Sequence, residues 1–322
     1  MSDTVADWSD RTEIDQFGPW VLPVRTPEDV PPLFRPHGVD LAESLLVLKV
    51  PRPITRRDVQ PGMDLYDRLL VVDPRGLTVL SRRHGAPGAY DVSVVPHPQI
   101  TAVQNSTDLL DGLFVLHGAG SQTAPAPTGW GASPAGSGSA LTVPYNGSQS
   151  DVLDGLAAVL RELAFLGWLP PAPADASVHR MPAYALGRDD VGLVSALQDL
   201  QEREPGLPAP VLQPRTRAPR TGWASLLDAW RPVTVHACVL LAGPRELHVL
   251  HRRSWCTTGS KPVQSLVHTV LPTGRTALVE RPHPALRGVR VVSLVSGATS
   301  LDLVLPDGSA VLAALRGVPR DA

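Results

Sequence analysis

The sequence predicts a mainly β protein, two tandem antiparallel β-barrels or sandwiches each closed by a C-terminal helix. Three observations carry that reading. Leu77-Thr78-Val79-Leu80-Ser81-Arg82-Arg83 recurs as Leu247-His248-Val249-Leu250-His251-Arg252-Arg253. Each copy follows an apolar run and a Pro-Arg turn, Val71-Val72-Asp73-Pro74-Arg75 and Leu240-Leu241-Ala242-Gly243-Pro244-Arg245, and a repeat of this kind marks two related modules. Short runs rich in Val and Leu, bounded by Gly, Pro or Asp, follow one another along the chain, which is strand patterning. An amphipathic helix pattern closes each copy.

Residues 1–42 read as an acidic, Pro-rich N-terminal extension. Met1 to Gln16 lacks the basic and apolar regions of a secretory leader and reads as a flexible tail. Pro19, Pro23, Pro27, Pro31, Pro32 and Pro36 then forbid a helix and predict an extended strap, with Trp20 and Phe34 to pin it.

Residues 43–169 form the first module. Strands are expected at Glu43–Val50, Arg68–Asp73, Leu77–Arg82, Tyr90–Val95, Gln99–Val103, Gly112–His117 and Ala140–Tyr145. Ser150 is placed to cap a helix whose Val152, Leu153, Leu156, Val159, Leu160 and Leu163 share one stripe, and Gly167 and Pro170 end it. Ala119 to Ser139, a Gly/Ala/Pro/Ser tract holding Trp130, reads as a mobile insertion (119–139) too poor in apolar surface to order itself.

Residues 170–229 read as a linker with one short helical pattern, Asp189 to Glu204, and an aperiodic Pro/Arg stretch, Pro205 to Thr221. In the second module, 230–318, Val233 to Leu241 alternates so that odd positions point inward. Further strands are expected at Glu246–Arg252, Gln264–Leu271, Thr276–Glu280, Gly288–Val295 and Ser300–Leu305, and Ser309 caps a helix of about two turns. Both copies end alike, with Leu141-Thr142-Val143-Pro144-Tyr145-Asn146-Gly147-Ser148 before the first helix and Leu303-Val304-Leu305-Pro306-Asp307-Gly308-Ser309 before the second.

Composition narrows the function. A net charge of −2 and a pI near 6.5 supply no general attraction to nucleic acid, and the 5% of aromatic residues are not interleaved with a basic stripe. Lysine occurs only as Lys49 and Lys261. This Arg-, Ala- and Pro-biased usage suggests a GC-rich bacterial genome, so the arginine number is read first as codon bias. Two cysteines, Cys238 and Cys256, make no disulfide framework and point to a reducing, cytoplasmic setting. The best apolar stretch, Val152 to Leu169, is interrupted by Asp154, Arg161 and Glu162, so membrane contact is expected to be peripheral if it occurs.

The strand series with a closing helix is the layout of the pleckstrin-homology-like barrel. Tyr90 to Val103, the Leu109-Leu110-Asp111-Gly112 turn, Leu113 to His117, and Val143-Pro144-Tyr145-Asn146 before the helix resemble the bacterial pleckstrin-homology (PH)-like domains. The likeness covers residues 43–168 and extends to 230–318 through the internal repeat. It implies a packed barrel plugged by its helix, a platform for peptides, proteins or sometimes lipid headgroups, and no catalysis.

The candidate contact residues are Arg82, Arg83 and His84 with the equivalent Arg252 and Arg253, at matching strand ends. Paired guanidiniums suit phosphate; the same residues also suit a solvated strand end that needs gatekeeping charge. Trp130 marks its loop as a lid. His236, His248, His251 and His268 gather in the second module with Cys238 and Cys256, but their spacing fits no zinc signature, and His248 and His251 face opposite sides of a strand. Cys256 has no base partner that the sequence names. Pro96-His97-Pro98 and Pro282-His283-Pro284 are offset by 186 (283 − 97), against 170 (252 − 82) for the arginines, so they are not equivalent. No dinucleotide fingerprint, phosphate-loop lysine, nucleophile elbow or His-Glu-x-x-His motif occurs.

These observations point to a non-enzymatic binding or scaffold protein with no metal or cofactor. Its protein or peptide partner is expected between the modules or along strands beside the first helix. Two other readings stay open: peripheral binding of anionic lipid through the arginine clusters, and an enzyme using Cys256 and a histidine between the modules.

Overall fold

A computed structural model describes residues 18–60, 63–86, 88–118, 140–165, 182, 184–258 and 263–318. The expected tail, the insertion with Trp130, and Gly167 and Pro170 lie outside the described residues. The fold is mainly β. In the first half, β1 (Leu22–Pro23), β2 (Leu46–Pro51), β3 (Tyr66–Val72), β4 (Gly76–Arg82) and β5 (Tyr90–Pro96) form one antiparallel sheet in that order. A meander of β6 (Ile100–Asp108), β7 (Asp111–Gly118) and β8 (Ala140–Asn146) follows and leads into α1 (Ser150–Phe165). The intervening segment supplies α2 (Val191–Arg203), β9 (Val211–Gln213) and β10 (Thr216–Ala218). The second half contributes β11 (Val233–Val235), β12 (Cys238–Ala242), β13 (Glu246–His251), β14 (Cys256–Thr258) and β15 (Leu266–Pro272). It closes with a meander of β16 (Thr276–Pro282), β17 (Val289–Ser296) and β18 (Thr299–Pro306), then α3 (Ala310–Gly317).

The internal repeat holds down to single hydrogen bonds. The Pro-Arg turns close alike, Asp73 N to Gly76 O at 3.0 Å and Gly243 N to Glu246 O at 2.9 Å. The residue that follows β5 in one half and β15 in the other then grips that turn: His97 Nε2 lies 2.7 Å from Asp73 O, and Thr273 Oγ1 donates to Gly243 O at 2.8 Å. The counterpart of Pro96-His97-Pro98 is therefore Pro272-Thr273-Gly274, and Pro282-His283-Pro284 is a different turn.

The halves share a sheet. β6 pairs with β15 antiparallel, from Thr107 opposite Leu266 to Val103 opposite Val270, giving one seven-stranded order, β8-β7-β6-β15-β13-β12-β9. Among the described residues no sheet closes into a barrel. Instead the five-stranded sheet, the first meander and α1 enclose one core, with Leu70, Val79, Phe114, Val143, Leu156 and Leu160 in contact. A second core joins Leu240, Val249, Val292, Leu303, Leu312 and Leu315.

Several local expectations are corrected. The N-terminal strap is not simply extended: Pro27–Asp29 and Pro32–His37 are 3-10 helices, because a proline at the first helical position lacks only an N–H that would have no partner anyway. Phe34 is buried edge-on against Tyr90, with ring centroids 5.6 Å apart, whereas Trp20 is 40% exposed. Val233 to Leu241 is broken at His236, whose N–H bonds Trp255 O; β11 joins β10 and β14 while β12 enters the seven-stranded sheet. Even positions there are as buried as odd ones, since Val239 and Leu241 lie under α2 while Cys238 and Leu240 face the second core. Ser150 begins α1 rather than capping it, because Asn146 accepts from Ser148 N one turn earlier. The aperiodic Pro/Arg stretch holds two strands, β9 and β10. Ser309 does cap α3, accepting from Leu312 N.

Candidate functional site

A groove runs along the seam between the halves. Its floor is the junction ladder itself, Val103 and Asn105 of β6 opposite Val270 and His268 of β15, with His248 of β13 beyond. Its walls are α1 and α2. α1 sends Leu153, Leu156 and Leu160 into the first core and lines the middle of the groove with the small residues Gly155, Ala157 and Ala158 between Asp151 and Asp154 on one side and Arg161 on the other. A Cβ on Gly155 would meet nothing within 4 Å. α2 packs Leu193, Val194, Leu197 and Leu200 on the outer face of β12 and β13, which places Leu200, Arg203 and Glu204 opposite α1. Three cavities of about 400, 260 and 440 Å3 share lining residues from end to end. Phe165, Leu207 and Pro208 make one end apolar; Asp151, Asp199 and Glu202 make the other acidic.

One guanidinium organises the middle. Arg161, buried on α1, bonds Glu204 through two nitrogens at 2.8 and 2.9 Å and Glu246 through two contacts at 3.2 and 2.5 Å. Burial alone would lower its pKa, but the hydrogen bonds and charges of Glu204 and Glu246 more than offset that and raise it. Burial likewise acts to raise both carboxyls, yet Arg161 holds Glu204 below its ordinary value, and His248 with Arg161 brings Glu246 down to about 2. His248 Nε2 stands 3.2 Å from Glu246 Oε2, and its Nδ1 is 3.2 Å from Nε2 of the stacked His268. A carboxylate only accepts, so Nε2 of His248 carries the hydrogen. His268 is driven well below its ordinary pKa by burial and by the positive groups around it.

Glu204, Glu246 and His248 bring ligand atoms within 4.8 Å of one another. Both carboxylates are already bound by Arg161, which stands where a cation's charge would be needed. Among the described residues His236, His251, His268, Cys238 and Cys256 join no group that could hold a metal ion. Neither nitrogen of His236 has a partner among the described residues, and burial lowers its pKa to about 4. His251 stacks on Trp255 with centroids 4.4 Å apart. Burial pushes the Cys238 and Cys256 thiols up to about 12 and 11, opposite to the activation a nucleophile needs.

The arginine clusters are engaged. Arg82 pairs with Asp64 at 3.0 Å and Asp67 at 3.2 Å, and Arg83 pairs with Asp91; His84 is exposed. Arg252, 3% exposed, lies inside the molecule rather than on its surface, bound to the fully buried Asp190 at 2.9 Å and to Ser265 O at 2.8 Å. Arg253 reaches across the seam to Asp111 at 2.5 Å and Ser106 Oγ at 2.7 Å. The strand-end repeat therefore fastens parts of this chain together, and its two copies do not meet on one face.

Arg161, Glu204 and Glu246 escaped the sequence reading, although each left a sign. Arg161 falls on the buried stripe Ala157, Leu160, Ala164 of an otherwise apolar helix face, and Glu246 sits two residues before His248 on one face of a strand. The chain matches no protein-family model, no curated protein and no solved structure.

Proposed function

We propose that the chain is a non-enzymatic binding protein of two PH-like modules whose seam groove holds a segment of a protein partner. Each half runs five strands, then a three-stranded meander and a helix, an antiparallel series closed by a helix as the PH-like resemblance implies, and this supports the module reading. The observation that carries the binding reading is the groove, continuous from an apolar end at Phe165 to an acidic end at Asp151, with a floor supplied by both halves. Such a groove suits a segment with an apolar side chain at one end and Lys or Arg at the other. The buried Arg161 network keeps the walls at fixed separation, which lowers the ordering cost of capture.

Gly155→Leu with Ala158→Leu fills the groove while placing good helix formers on α1. Peptides selected from a random display library on the wild-type chain are expected to carry the apolar-basic pattern and to lose about tenfold or more in affinity for the filled variant. A library that yields no binder, or binders indifferent to the filling, overturns the reading.

A further inference from the structure

The 3-10 helix Gly222–Ala229 is turned inside out. At three residues per turn, side chains three apart line up in rows. The polar row is the less exposed one: Ser225 donates to Gly222 O within the helix, and Asp228 ties the row to the preceding segment by accepting from Arg220 N at 2.8 Å and an Arg220 guanidinium nitrogen at 2.6 Å. The apolar rows face water. Trp223 is 90% exposed, Leu226 69%, Leu227 59% and Trp230, just past the helix, 89%. Four large apolar side chains on one short helix form a contiguous patch of the kind that folded chains keep for a partner.

Charge says which partner. Residues 214–232 carry Arg215, Arg217, Arg220 and Arg231 against one carboxylate, Asp228. Arg215 and Arg220 are held by Asp190 and Asp228. Arg217 and Arg231 are exposed and enter no ion pair among the described residues. The same is true of Arg287, whose backbone N–H bonds Pro219 O and so borders the helix. The order along the patch is Trp, Leu, Leu, Trp with an arginine rim. Leucines centred between indoles match the depth profile of a bilayer surface, where indoles sit at the headgroups and guanidiniums meet phosphate.

We infer that Gly222–Trp230 is a monotopic membrane anchor that lays Leu226 and Leu227 into an anionic phospholipid bilayer. Trp223 and Trp230 sit at the headgroup level and Arg217, Arg231 and Arg287 contact lipid phosphates. This surface is separate from the seam groove and from the strand-end arginines, so anchoring and segment capture are independent.

The full chain is sedimented with vesicles of phosphatidylcholine alone and of phosphatidylcholine mixed with phosphatidylglycerol. It is expected to bind the mixed vesicles, and brominated acyl chains are expected to quench its indole emission. Leu226→Ser with Leu227→Ser is expected to abolish sedimentation without changing the melting temperature, since both side chains are already in water. Arg217→Gln, Arg231→Gln and Arg287→Gln together, a second variant that leaves the apolar rows intact, are expected to weaken binding on the order of a hundredfold. Trp223→Phe with Trp230→Phe is expected to remove the quenching. Absence of sedimentation, or binding that ignores all three variants, overturns the anchor. A lipid-independent dimer dissolved by the leucine variant also overturns it, assigning the patch to a second copy instead.

Discussion

At the residue scale the molecule turns on which side chains the two copies of the sequence repeat share and which differ. Leu69, Val71 and Leu80 pack outward under the N-terminal strap, and Val239, Leu241 and Leu250, 170 positions on, pack outward under α2. The differences are polar: His248 stands where the first copy has Thr78 and Glu246 where it has Gly76, which sets a carboxylate against Arg161 and an imidazole against that carboxylate. Arg161→Met should therefore destabilise the fold by about 3–5 kcal/mol at neutral pH, because it strands two carboxylates in a buried site. The pH dependence fixes the sign. In the wild type both carboxyls have folded pKa values below the unfolded ones, so their contribution is full above the unfolded value and fades as pH falls toward about 2. Without Arg161, burial acts to raise Glu204 while His248 still opposes it at Glu246, so the variant gains relative stability on acidification chiefly as Glu204 becomes neutral. Urea unfolding at pH 7.5 and pH 4.5 should show the difference between the two proteins shrink; a difference independent of pH would mean that lost packing, not stranded charge, is the cause.

At the scale of elements, periodicity made the strands and α1 readable. It hid what lies on the second face of the sheet. Val233 to Leu241 alternates with odd positions apolar, which implies one inward face, yet two layers cover it. The linker helix was visible from Val191, Val194, Leu197 and Leu200; its destination was not, because the ion pair that docks it joins Asp190 to Arg252 across 62 residues of sequence. Strands β10, β11 and β14 span three residues each, too short for any period. The docking of α2 gives a prediction at this scale. Asp190 accepts from Arg215 Nε at 2.5 Å as well as from Arg252, so Asp190→Ala removes the carboxylate that two guanidiniums share, and leaves the buried Arg252 with carbonyl partners only. Amide exchange in Val191–Arg203 is expected to accelerate by two to three orders of magnitude, corresponding to about 3–4 kcal/mol, while the core strands β6 and β7 exchange nearly as before. Uniform acceleration across the chain would show instead that α2 is not separately fastened.

For the whole molecule, the seam decides whether the two halves behave as two bodies or one. Val270 of the second half is buried in the first core, and Ala102 of the first half is buried in the second. Arg253 to Asp111, Arg161 to Glu246, and Thr101 Oγ1 to Thr299 Oγ1 at 2.6 Å add polar ties across the same boundary. The join is also asymmetric. β15 pairs with β6, but their counterparts β5 and β16 remain sheet edges, guarded by Asp91 on one and by Glu280, Arg281 and Pro282 on the other, residues that discourage further pairing. A chain that shares one sheet and exchanges core residues should unfold as a unit. Scanning calorimetry is expected to give one transition with equal calorimetric and van't Hoff enthalpies. Fragments 18–165 and 184–318 expressed apart should each expose a seam strand and fail to reach a soluble fold, and co-expression should recover the complex. Two resolved transitions, or a first fragment that folds alone, would make the seam an interface between independent modules, and the groove would then open whenever they part.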